Sequence, residues 1–161
     1  MNVAFKEWYA VCEALGRGDQ DVIIRKGGIH EGKGGFRFEH DRFYLFPTLF
    51  HKQSALLTEQ AKSDLPDPAK SSWELGEVVP IRYLCEILTV EEVNDWQQVL
   101  ALSPRHVYSE ELLRERFQWS GKGMDAGSIQ VATVRVVRVD PPIMQEYTKA
   151  LGGCRSWVSL P

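Results

Sequence analysis

Apolar and polar positions alternate along this chain with two periods. Near the start, Ala4, Phe5, Trp8, Val11, Cys12 and Leu15 recur at helical spacing, and Gly16 and Gly18 follow as stop signals, which predicts a first helix ending near Gly16. Asp21 to Lys26 is rich in β-branched residues and predicts a buried strand. Phe36-Arg37-Phe38 and Phe43-Tyr44-Leu45-Phe46 predict two short strands around the polar turn Glu39 to Arg42, with Pro47 ending the second. The segment from Leu49 to Leu65 predicts a helix running into Pro66-Asp67-Pro68, and Ser63 to Ser72 an exposed connection.

In the second half, Ile81, Tyr83, Cys85 and Ile87 share one side of a predicted strand, and Val90 to Leu102 reads as a helix broken by Ser103-Pro104. Ser109 is an N-cap for a helix carrying Leu112, Leu113, Arg116 and Phe117, with Glu110 and Glu111 in its first turn. Ile129 to Val139 is the longest β signal, stopped at Pro141-Pro142, and a short helix is predicted from Ile143 to Leu151. Strand runs separated this irregularly do not wind as regular βαβ units. They predict a single α+β domain over residues 1–161, its mixed, mostly antiparallel sheet curled toward a PUA-like barrel with flanking helices.

The densest local feature interrupts these periods. Five glycines fall between Gly27 and Gly35, directly after the Val22-Ile23-Ile24 strand, with Arg25, Lys26 and Lys33 at the rim. Glycines without Cβ atoms let backbone N–H groups approach a ligand, and the cations favour an anion, so the run reads as a phosphate cradle or, without a ligand, as a long hairpin loop. It matches neither G-x-x-x-x-G-K-[ST] nor a strand-to-helix G-x-G-x-x-G, which disfavours nucleotide hydrolases and Rossmann dehydrogenases. Strand alternation puts Arg25 and Lys26 on opposite faces, so at most one is expected in the pocket served by the loop.

Charge sharpens this reading. The net charge is −3, yet Ile23 to Lys52 holds six Lys/Arg against three acids, and Gln53 to Leu100 three against nine. A basic face on an acidic body suits a specific phosphate-bearing partner, DNA or RNA, rather than indiscriminate coating of nucleic acid. The phosphate-binding candidates are Arg25, Lys26, Gly27, Gly28, His30, Lys33, Gly34, Gly35, Arg37, Arg42 and His51. Arg116 and Trp119, in the interleaved run Arg116-Phe117-Gln118-Trp119 before Gly121-Lys122-Gly123, are the base-stacking candidates; the other reading of that run is a helix end docked on the sheet. Trp8 and Trp96 fall on amphipathic faces and read as core.

Glu31, Lys33, Glu39, Asp41 and the nearby histidines offer an alternative, a metal-dependent nuclease or phosphoesterase. No H-x-x-x-H or H-E-x-x-H spacing exists, and the Glu31-Gly32-Lys33 pair lies among glycines rather than on a rigid strand, so no metal or other cofactor is expected and a non-enzymatic role is favoured. Cys12, Cys85 and Cys154 are dispersed in apolar company and read as reduced structural thiols. With no signal-peptide layout and no membrane-length apolar run, a cytoplasmic protein without membrane partners is expected.

Phe5-Lys6-Glu7-Trp8, Arg25-Lys26-Gly27-Gly28-Ile29, Leu45-Phe46-Pro47-Thr48 with His51, and Arg116-Phe117-x-Trp119 before the long valine strand together resemble a bacterial family, the domain of unknown function numbered eighteen-oh-two, over nearly the whole chain. The resemblance carries no activity or catalytic residue. It implies a link to DNA restriction, since such modules occur beside Mrr-type restriction endonuclease domains, and so a restriction-system protein as a further partner. The layout also resembles PUA, ASCH and EVE domains, small barrels that bind RNA or modified DNA bases. The expectation is a nucleic-acid-binding accessory module, with a protein-binding subunit as a further alternative.

Overall fold

The computed structural model describes residues 2–27, 36–50, 53–62, 70–119, 121 and 123–161. Its elements are β1 (Asn2–Trp8), α1 (Tyr9–Arg17), β2 (Val22–Lys26), β3 (Arg42–Thr48), α2 (Glu59–Lys62), β4 (Val78–Val93), α3 (Trp96–Leu100), α4 (Glu110–Phe117), β5 (Ile129–Glu146) and β6 (Trp157–Leu160). The six strands form one sheet in the order β2-β5-β4-β3-β1-β6. Only β1 and β3 pair in parallel, so the α+β class and the mixed, mostly antiparallel sheet are as expected. No described helix is long and apolar enough to cross a membrane.

Several boundaries differ from the sequence reading for one physical reason, non-local strand pairing overriding local periodicity. Asn2 to Trp8, whose spacing predicts helix, pairs with β3 on one side and β6 on the other, so the helix begins only at Tyr9. Ala4 and Phe5 are both fully buried because each face of the sheet carries a core: Phe5 joins the main cluster with α1, α4 and β2, and Ala4 a smaller one with Phe46, Val158 and Leu151. The predicted strand at Phe36 to Phe38 has no regular structure, and the predicted helix after Leu49 shrinks to a 3-10 turn at Gln53–Leu56 and the four residues of α2. Val90 to Val93 continues β4 instead of starting a helix. β5 runs through Pro141-Pro142 to Glu146, replacing the predicted helix from Ile143. Among the described residues it pairs there only with β4, whose partner jumps from Arg138 to Ile143, so the prolines fall in an irregular stretch.

The sheet is curled. β2 and β1 stand four strands apart in its order, a separation of about 19 Å in a flat sheet. Yet the Arg25 guanidinium of β2 lies 2.9 Å from the Glu7 carboxylate of β1 and donates to the Lys6 carbonyl at 3.2 Å. The edge strand β2 is thus drawn toward β1 by side chains, so the open sheet curls in the direction the sequence reading expected. Cys12 and Cys85 are buried, and burial pushes both thiols well up; Cys154 is exposed, against expectation, because it lies outside β6 in the bend at 153–154.

His106 is 7% exposed, its Nδ1 accepts from the Tyr108 N–H at 3.2 Å, and its Nε2 has no hydrogen-bond partner among the described residues. Burial, reinforced by Arg105, lowers its pKa to about 4 from an ordinary 6.5. A depressed folded value means that its contribution is complete above the unfolded pKa and is lost as pH falls toward the folded one. Stability is therefore expected to drop by about 1 kcal/mol between pH 6.5 and 5.5, and to flatten below about pH 4, where both states are protonated. Urea unfolding against pH, compared with His106→Asn, checks this; an unchanged acid limb in the variant contradicts it.

Candidate functional site

The ends of β2 and α4 meet because two glycines let backbones touch. Ser109 Oγ caps α4 by accepting from the Leu112 N–H at 3.2 Å, and the helix ends at Phe117. A Cβ on Gly127 would lie 2.2 Å from the Phe117 ring, so only glycine lets Ser128 donate its N–H to the Phe117 carbonyl at 3.0 Å. The Ser128 carbonyl in turn accepts from the Gly27 N–H at 3.0 Å, and a Cβ on Gly27 would strike Ser128. Residues 127–128 thus pin the exit of α4 to the exit of β2. Gly127→Ala is expected to cost at least about 1 kcal/mol by overpacking, read as a lower urea midpoint; an unchanged midpoint would show that the contact yields freely.

Trp119 follows directly, 54% exposed, with the Lys26 ammonium 3.7 Å from its ring centre. These two residues, with Arg25, Phe36, Glu115 and Arg116, line a cleft of about 280 Å³. Beneath it lies a buried charge network. Glu7, 1% exposed, accepts from Arg25 at 2.9 Å and from the Tyr108 hydroxyl at 2.8 Å through one oxygen, and from the Trp8 N–H at 2.8 Å through the other. Arg116 donates to the Ile24 carbonyl at 2.6 Å, and its guanidinium stands 5.1 Å from the Tyr108 ring and 5.6 Å from the Trp8 ring.

Burial works against the Arg25 charge, but Glu7 and Tyr108 outweigh it and raise its pKa. Arg116 is lowered, by burial first and by Arg25 second, and Tyr108 is pushed up by burial and then by Glu7. Two guanidinium groups therefore face one buried carboxylate at the floor of a cleft that also holds a lysine. Such a floor favours an anionic guest.

The structure brings together Arg25, Lys26, Arg116 and Trp119 of the sequence candidates. Arg25 and Lys26 both line this cleft, since β2 is an edge strand and side chains from its two faces can converge over the edge; the pocket expected at the glycine run falls on residues 28–35, outside the described residues. Arg25 is held by Glu7, and the Gly27 amide is taken by Ser128, so neither is the free phosphate donor the glycine reading expected. Arg116 is half-buried and forms floor rather than an open stacking surface. Arg37 is exposed, and Arg42 lines a different hollow with His40. Gly28, His30, Lys33, Gly34, Gly35 and His51 lie outside the described residues, as does Glu31. Glu39 and Asp41 are exposed, His40 packs edge-on against Trp157 at 5.0 Å, and the described residues contain no group of three or more His, Cys, Asp or Glu placed to hold a metal. Glu7, Tyr108 and Glu115 were not anticipated. Glu7 and Tyr108 are 101 residues apart, and no local pattern marks such a pair.

The family described as Domain of unknown function (DUF1802) matches residues 4–161. Among solved structures, the chain is similar to ASCH from Zymomonas mobilis, at 12% identity over 99% of this chain and 87% of that one, with a TM-score of 0.52. It is likewise similar to a tyrosine-to-phenylalanine mutant of that protein, at 12% identity over 99% and 90%, with a TM-score of 0.53. At this identity the likeness is one of fold. No curated protein matches the sequence.

Proposed function

The chain belongs to the DUF1802 family, and from its ASCH-like fold and the Trp119 cleft we propose that it is a nucleic-acid-binding module without catalytic chemistry of its own, working in the cytoplasm as an accessory to DNA restriction. The observation that carries this reading is the exposed Trp119 indole at the rim of a cleft walled by Lys26, Arg25 and Arg116. An indole offers a face to any unpaired base, and the cations attract the phosphate beside it. Lys26 occupies one face of the ring, so an incoming base takes the other face or displaces the ammonium. Glu115, on the same wall, adds an acceptor for a base amino group. In this reading Arg37, with Lys33 and the other glycine-loop residues, supplies sequence-blind phosphate contacts.

Fluorescence anisotropy with a labelled single-stranded oligonucleotide tests the proposal. Affinity is expected to fall with salt at a log–log slope of about −0.7 per phosphate contact, and Lys26→Ala is expected to flatten that slope. Salt-independent binding, or none to DNA or RNA, contradicts it.

A further inference from the structure

Two more hollows lie on the described surface besides the Trp119 cleft. One, about 270 Å³, is walled by His40, Arg155, Trp157 and Ser159; the other, about 500 Å³, by Asn2, His40, Arg42 and Tyr44. They share Val3 and His40, so they adjoin. Ser156 lines the cleft, and its chain neighbours Arg155 and Trp157 line the first hollow. Phe36 on the cleft wall and Trp157 on the hollow wall are stacked with ring centres 6.4 Å apart.

The charged or titratable side chains described on the two hollow walls are Arg42, His40, Tyr44 and Arg155, with no Asp or Glu among them. Close by, the Lys6 ammonium donates to the Gly153 carbonyl at 3.2 Å, and its pKa is lowered by burial and then by Arg155. Cations crowded in this way bind an anion chain better than a single ion, because one polyanion relieves several repulsions at once.

We propose that the cleft and both hollows form one track for a single nucleic-acid strand, with a base at Trp119 and the following phosphates passing Arg155, His40 and Arg42. This rests on the nucleic-acid reading above and extends it to strandedness and direction across the fold. A paired duplex keeps its bases stacked away from Trp119, whereas a single strand can turn one base into the cleft and lay its flexible backbone around the curled sheet. Grooves for single strands commonly span about 4 nucleotides or more.

The test is anisotropy with oligo(dT) of two and of eight nucleotides against the wild type, Arg42→Ala/Arg155→Ala and Arg42→Lys/Arg155→Lys. The eight-mer is expected to bind roughly tenfold or more tighter than the two-mer, and the alanine pair to remove that gain and lower the salt slope by about 1.4, two contacts at about 0.7 each, while the two-mer is unaffected. The lysine pair, which gives up the Arg155 bond to the Ala150 carbonyl but keeps both charges, should retain the gain, separating charge from folding. Two-mer binding without a length gain, or an eight-mer indifferent to the alanine pair, overturns the track and leaves the cleft standing. Failure of both oligonucleotides to bind overturns the cleft reading and the track with it.

Discussion

Glu7→Ala is expected to destabilise the protein by about 3 to 5 kcal/mol, the usual cost of stripping one partner from a buried ion pair. The carboxylate is 1% exposed and satisfies Arg25, the Tyr108 hydroxyl and the Trp8 N–H together. Removing it leaves two guanidinium groups, Arg25 and Arg116, repelling each other at the cleft floor, and removes one of the two Arg25 links between β2 and β1 where the sheet curls. Glu7→Gln keeps an acceptor for Tyr108 and removes only the charge, so it should fall between alanine and wild type. Urea unfolding reads both as a lower midpoint at constant slope. A loss below about 1 kcal/mol for Glu7→Ala would mean that the pair contributes little to closure, and the account of the curled sheet would fail.

Trp119→Ala is expected to weaken single-strand binding by about 1 to 3 kcal/mol and to change the ranking among bases. With the indole 54% exposed, and its Lys26 contact worth about 0.5 to 1 kcal/mol at such a site, the same variant should unfold close to the wild type. Lys33→Ala and Arg37→Ala should instead weaken all sequences alike, because phosphate contacts are blind to the base. Affinity and urea midpoint measured on one preparation separate the outcomes. A destabilised Trp119→Ala protein with unaltered base preference removes Trp119 from the site.

Where local chemistry dominates, the sequence predicts the structure closely. Ser109 caps α4 as its spacing implies, and Val22 to Lys26 forms the strand that delivers the cationic pair. Trp119 was legible as an aromatic among cations at a helix end. The failures concern partners distant in sequence. Asn2 to Trp8 carries a helical period but is flanked by β3 and β6, contributed by residues 42–48 and 157–160. The two prolines of β5 read as a stop, since nothing local says that only one side of that stretch is paired. The cleft floor is hidden for the same reason: Glu7, Arg25, Tyr108 and Arg116 come from four separate segments, and only the curl of the sheet brings them together.

The most direct measurement is a crystal structure with a short single-stranded oligonucleotide. The account predicts a base against Trp119 with its phosphate beside Lys26, above the Arg25–Glu7 pair. A strand bound on another face, with the Trp119 cleft untouched, would contradict it.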